Sequence, residues 1–234
     1  MRPVALTRRD HAILRGVWSL GWATSRVITA LVAPTTAVKT LAGRLAELTN
    51  AGYLTRRRMV AGPGGHVWLY GLGPNARRVD PAYGSPWRPT DAQIGHTVAI
   101  TNTLAALVTP GRLGSLTVTA WSGEAELRAW HRPGEAIPDL VVRWQGHGTA
   151  GTWAVEVDRG TQARGAWRRK LVRYLDTTYD ALLVVTTSDE RARNLARLGR
   201  SAGAPVLTID HEGLQATPIH VYDAINGRRK AVDE

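Results

Sequence analysis

The 234-residue chain contains no cysteine and no phenylalanine, only two methionines, and very little lysine, its positive charge being carried almost entirely by arginine. The missing cysteine excludes disulfides and thiolate zinc sites. No stretch approaches the ~18 consecutive apolar residues of a membrane span, and the N-terminus lacks the apolar segment of a secretory signal. A soluble cytoplasmic protein without a membrane partner is therefore expected. No Gly-Lys-Ser/Thr phosphate loop occurs, which argues against ATP hydrolysis by the chain itself. The seven histidines show none of the paired helical spacing of a zinc site, and no tyrosine has the context of a relaxase-type nucleophile.

What the chain does have is positive charge, unevenly placed. Residues 1–80 hold 12 Lys/Arg against 3 Asp/Glu, whereas residues 81–234 hold 18 against 16, so +9 of the net +11 falls in the first third. Local arginine density of this kind suits phosphate contacts and points to a nucleic-acid-binding N-terminal module joined to a nearly neutral second domain.

The helix signals of that first third agree. Thr7 caps a helix carrying Ile13, Leu14, Val17 and Trp18, Thr24 or Ser25 caps a second, and Thr35 or Thr36 a third ending at Asn50-Ala51-Gly52. Tyr53 to Val60 and His66 to Leu72 read as strands around a Gly-rich loop. Three helices and a hairpin predict a winged helix-turn-helix over residues 1–75, with its third helix in the major groove of duplex DNA. Thr36, Lys39, Thr40 and Arg44 on that helix, and Arg56, Arg57 and Arg58 on the wing strand, are the candidate DNA contacts. The Pro-rich segment 76–89 reads as a semi-rigid linker.

The second domain, residues 90–215, reads as helix, strand, strand, strand, helix, strand, then a further helix and strand; residues 216–234 read as a weakly structured tail. Its centre is a strand pair. One member is introduced by Pro138-Asp139, and the other, Trp153 to Asp158, turns Trp153, Val155 and Val157 to one side and Glu156 and Asp158 to the other. A hairpin would bring Asp139, Glu156 and Asp158 together, an oxygen-rich set suited to Mg²⁺ or Mn²⁺. The plainer alternative is that Glu156 and Asp158 line a solvated strand face.

The order of these motifs resembles a known core. Pro-Asp opening the second strand and Glu-x-Asp closing the third are similar to PD-(D/E)XK nucleases. The whole series, a winged helix, a helix with His96, then Glu124-Ala125-Glu126, Pro138-Asp139 and Glu156-Val157-Asp158, resembles the replication-relaxation family of plasmids and mobile elements. That resemblance implies an α/β (α+β overall) architecture, a winged helix followed by a restriction-endonuclease-like αβββαβ domain. It also implies a role in plasmid replication and DNA relaxation, with duplex DNA and replication proteins as partners and a homodimer among the open assemblies. The nuclease pattern places a lysine where this chain has Asp158. A lysine there positions the attacking water and steadies developing phosphorane charge. Lys170 on the following helix is the candidate replacement, and Gln162 near its start a candidate polar partner. Two functions stay open: a metal-dependent DNA nuclease using Asp139, Glu156, Asp158, Lys170 and Gln162, or a non-catalytic initiator accessory or regulator with a degenerate nuclease-like domain.

Overall fold

The computed structural model describes residues 4–33, 38–60, 66–84, 90–132, 134–223 and 229–232. The Gly-rich tip at 61–65, the linker residues 85–89 and Thr36 lie outside them. The chain is mixed α/β and divides into two compact units, Met1–Ala105 and Ala106–Glu234.

In the first unit the Thr7 side chain and Asp10 form a reciprocal capping box that starts α1, Arg8–Leu20, a device worth ~1 kcal/mol. Gly21 ends the helix at φ 77°. β1 (Trp22–Thr24), α2 (Ser25–Val32), α3 (Val38–Asn50), β2 (Leu54–Val60) and β3 (His66–Leu72) follow. The strands form an antiparallel sheet in the order β1-β3-β2. Trp22 lies opposite Gly71, where a Cβ would come within 2.5 Å of the Trp22 ring, so only glycine leaves the indole its seat.

The next helix, α4 (Asp91–Val108), changes the expected partition. Its Ile94 is buried in a cluster with Trp22 and Leu69, and Val98 and Met59 pack against that cluster. The boundary between units consequently falls within α4 rather than at the Pro-rich segment 76–89. Burial of α4's apolar positions on the strands outweighs the local turn signals.

The second unit is built on a seven-stranded sheet in the order β10-β9-β8-β7-β6-β5-β4. It comprises β4 (Thr117–Gly123), α5 (Glu124–Arg128), β5 (Leu140–Gly146), β6 (Thr149–Asp158), α6 (Arg164–Leu175), β7 (Ala181–Thr186), α7 (Asp189–Ala202), β8 (Val206–Ile209), α8 (His211–Gln215), β9 (His220–Asp223) and β10 (Arg229–Ala231). β6, β7 and β8 run parallel, the other pairs antiparallel. The β5–β6 turn is tighter than the Gly/Thr-rich segment suggests. His147 and Gly148 both take positive φ, 51° and 74°, the two-residue hairpin geometry that matches strand twist.

Trp167, Leu171 and Tyr174 of α6 and Leu195, Ala196 and Leu198 of α7 cover one face of β6–β8 over Ala154, Leu182 and Val184. Val155, Leu183 and Val185 on the other face are buried as well. The central strands are therefore enclosed on both sides, as parallel strands usually are, and the alternative of a solvated face carrying Glu156 and Asp158 does not hold. The tail, expected to be weakly structured, is more regular than that. His220–Asp223 and Arg229–Ala231 extend the sheet, with Ile219 and Val221 fully buried.

Candidate active site and nucleic-acid surface

In the second unit, strand alternation puts Ala154, Glu156 and Asp158 on the face that α6 and α7 cover. Glu156 is 2% exposed, so its carboxylate has to be satisfied by protein. Two residues one helical turn apart on α6 do this: the Tyr174 hydroxyl donates to Oε1 at 2.5 Å, and the Lys170 ammonium lies 2.5 Å from Oε2. Asp139, immediately before β5, accepts the Val157 N–H at 2.7 Å, which holds it beside the same stretch of β6. Burial, and then the Asp139 charge, push the Glu156 carboxyl up to about 7, against the pull of Lys170 and Tyr174 in the other direction. The Tyr174 hydroxyl is in turn driven far above its ordinary value by burial and by Glu156.

Asp158 does not join this pair. Two residues advance a strand by ~6.6 Å, which carries Asp158 to the N-terminal turn of α7. There Arg191 Nε donates to Oδ2 at 2.6 Å and the Gly160 N–H to Oδ1 at 3.1 Å. The same guanidinium donates to the Gln162 carbonyl at 2.5 Å, tying down the loop between β6 and α6. Among the described residues no three carboxylates or histidines are grouped to hold a metal. The three-carboxylate expectation thus reduces to two. Asp139 and Glu156 remain as a pair of hard-oxygen groups, the donor chemistry that a divalent cation takes; Asp158 is committed to Arg191.

The Gln162 side chain, exposed, lines a cleft of about 220 Å³ beside α6, together with Ile137, Arg169, Lys170, Arg173 and Tyr174. Glu124, on α5, pairs with Arg128 one turn on, and Glu126 is buried. Sequence reasoning singles out neither Tyr174 nor Arg191. Tyr174 is traceable in principle, because a buried phenol needs a partner and it stands four residues after Lys170.

In the first unit the arginines separate into two kinds. Arg44 is not a groove-facing side chain. Its guanidinium donates to Asp10 at 2.9 and 2.6 Å, to Glu47 at 2.6 Å and to the Ala5 carbonyl at 2.9 Å, locking α3 to the start of α1. Burial alone would raise the Asp10 carboxyl, but Arg44 and the Thr7 N–H and hydroxyl hold it down to about 2. On β2 the pleat divides the three consecutive arginines. Arg56 and Arg58 stand opposite Tyr70 and Trp68, and the Arg56 guanidinium lies over the Trp68 ring at 4.5 Å, with Trp68 41% exposed. Arg57 faces the other way and pairs with Asp91 at the start of α4. Lys39 is exposed on α3; Thr36 and the side chain of Thr40 lie outside the described residues.

The model of the replication-relaxation family matches residues 14–181. No curated protein matches the chain. Solved structures similar to it include two of a restriction endonuclease. The restriction endonuclease FokI shares 13% identity at a TM-score of 0.31 over 92% of this chain and 44% of its own length. FokI bound to DNA shares 12% identity at a TM-score of 0.29 over 92% and 45%. The chain spans less than half the length of either.

Proposed function

The chain belongs to the replication-relaxation family, and on that premise we propose that it is a DNA-binding protein of plasmid or mobile-element replication whose second unit cleaves phosphodiesters at Asp139, Glu156 and Lys170. The observation that carries the reading is the Lys170–Glu156 ion pair of 2.5 Å. The cation missing beside the strand acid is supplied from α6.

Asp139 and Glu156 would hold Mg²⁺ or Mn²⁺, which when bound supplies Lewis acidity toward a phosphate oxygen and lowers the pKa of a water. Tyr174 fixes the rotamer of Glu156, and Lys170 keeps a positive charge where charge builds on the phosphoryl oxygens. Raised to about 7, Glu156 gives up its proton to a cation more readily as the pH climbs through neutrality.

The first unit serves as a winged helix, with α3 as recognition helix and β2–β3 as wing. The +9 charge of residues 1–80, exposed Lys39, and Arg56 and Arg58 beside Trp68 support this. Among the described residues no helix is long and apolar enough to cross a membrane. A cytoplasmic setting, replication proteins and a second copy of the chain as partners complete this reading.

One observation favours a second reading, a non-catalytic nuclease-like domain that serves only binding: both oxygens of Glu156 are already engaged. Incubating supercoiled plasmid with wild type, Glu156→Ala and Lys170→Met in Mg²⁺ or Mn²⁺ separates the two. Catalysis predicts nicked circles from wild type and at least a roughly 100-fold lower rate from either variant. A wild type that retards the plasmid but leaves it supercoiled in both metals establishes the second reading.

A further inference from the structure

Among the described residues five arginines are held by carboxylates: Arg44 by Asp10, Arg57 by Asp91, Arg128 by Glu124, Arg191 by Asp158 and Arg193 by Asp189. Arg169 and Arg173 are not among them. Among the described residues neither makes a hydrogen bond or an ion pair, and both are exposed. They stand four residues apart on one flank of α6, ~6 Å along the helix axis. Lys170 lies between them in sequence, with its ammonium already on Glu156.

Arg169 and Arg173 also line the cleft of about 220 Å³ that Gln162, Lys170, Tyr174 and Ile137 help to wall, and no carboxylate lines it. Two guanidiniums without a carboxylate partner and a side-chain amide in a wall that holds no acid favour an anion. Guanidinium forks match phosphate oxygens in paired hydrogen bonds. The cleft is smaller than the ~300–1,000 Å³ of small-molecule pockets and suits one phosphate with part of its sugar.

We propose that this cleft seats a backbone phosphate of a nucleic-acid strand, with Arg169 and Arg173 as positioning residues that lay the strand against the Asp139–Glu156–Lys170 centre. The inference rests on the reading of that centre as a phosphodiester site. It gives the second unit its own grip on nucleic acid, in a stretch whose overall charge is nearly neutral.

The test is the salt dependence of binding by the full chain, without metal, to a fluorescently labelled duplex oligonucleotide. Every phosphate that the protein no longer neutralises lowers the slope of log K against log[salt] by ~0.9. Arg169→Ala with Arg173→Ala should therefore flatten the slope by ~1.8 while the melting temperature stays at the wild-type value. The Arg169→Lys, Arg173→Lys pair should restore the slope with lower affinity. Arg193→Ala with Arg197→Ala on α7 should leave it alone.

An unchanged slope in the α6 alanine pair overturns the proposal, as does an equal flattening in the α7 pair, which would mark a diffuse charge effect. Stabilisation of wild type, and not of the α6 pair, by inorganic phosphate with no change in slope would reassign the cleft to a free phosphate and overturn it too. These outcomes do not depend on nicking, so a wild type that binds in this way yet never nicks rejects the catalytic reading alone. Where wild type does nick, the α6 alanine pair should raise KM several-fold with kcat within about twofold.

Discussion

Glu156 carries, in one side chain, most of what distinguishes the second unit. Its carboxyl is raised from an ordinary 4.5 to about 7, first by burial and then by the charge of Asp139. The folded protein therefore binds a proton there that the unfolded chain releases above about pH 4.5. For a group raised in this direction the stabilisation is fully present below the unfolded value and is lost as the pH climbs through the folded one. Glu156→Gln removes the titration while keeping the shape. Thermal melts of both proteins at about pH 5 and pH 8, without metal, should show the variant gaining on wild type between the two, by on the order of 1–3 kcal/mol. A constant difference across that range would mean that Glu156 titrates normally.

Residue identity alone reveals part of this centre. Asp139, Glu156 and Lys170 are legible because Pro-Asp, Glu-x-Asp and the following helix arrive in a recognisable order, and the structure brings all three together. The role of Asp158 is not legible. A period of two places it on the same face as Glu156, but which helix turn meets each residue depends on how α6 and α7 lie across the sheet. Arg44 misleads for a similar reason. On the helix it occupies a solvent-type position, and its partner Asp10 stands 34 residues earlier, beyond any local pattern.

At the scale of elements, long periodic segments declare themselves and short ones do not. β1, β9 and β10 have 3, 4 and 3 residues, too few for an alternating pattern to emerge. Strand β2 teaches the opposite lesson, since its period of two is reliable and a run of like residues hides it. Arg56, Arg57 and Arg58 read as one basic block; the pleat sets Arg56 and Arg58 beside exposed Trp68 and sends Arg57 to Asp91. If the wing meets DNA through that outer face, Arg56→Ala with Arg58→Ala should flatten the salt dependence of duplex binding by ~1.8 in slope. Arg57→Ala should leave the slope at the wild-type value, because its partner is protein. Equal flattening by Arg57→Ala and by each neighbour would show that the strand face does not decide which arginine touches the backbone.

For the whole molecule, charge asymmetry divides the chain into a basic and a nearly neutral part, but the division into compact units lies elsewhere. Prolines between 74 and 89 suggest a linker, whereas the first unit runs to Ala105 because α4 completes its core. Trp22, Leu69 and Ile94 are each buried to 5% exposure or less, and Ile94 is contributed by α4. A fragment of residues 1–80 would leave Trp22 and Leu69 facing water. Losing a buried Ile side chain from that cluster costs about 2–5 kcal/mol, a large share of the stability that a domain this small possesses. Residues 1–108, carried to the end of α4, should therefore melt cooperatively and retain duplex binding. Residues 1–80 should show a broad transition and bind the dye ANS through exposed apolar surface. Circular dichroism and ANS fluorescence on the two fragments check this directly. A sharp melt for 1–80 at the temperature found for 1–108 would show that α4 is dispensable to the first unit's core, and would return the boundary to the Pro-rich segment.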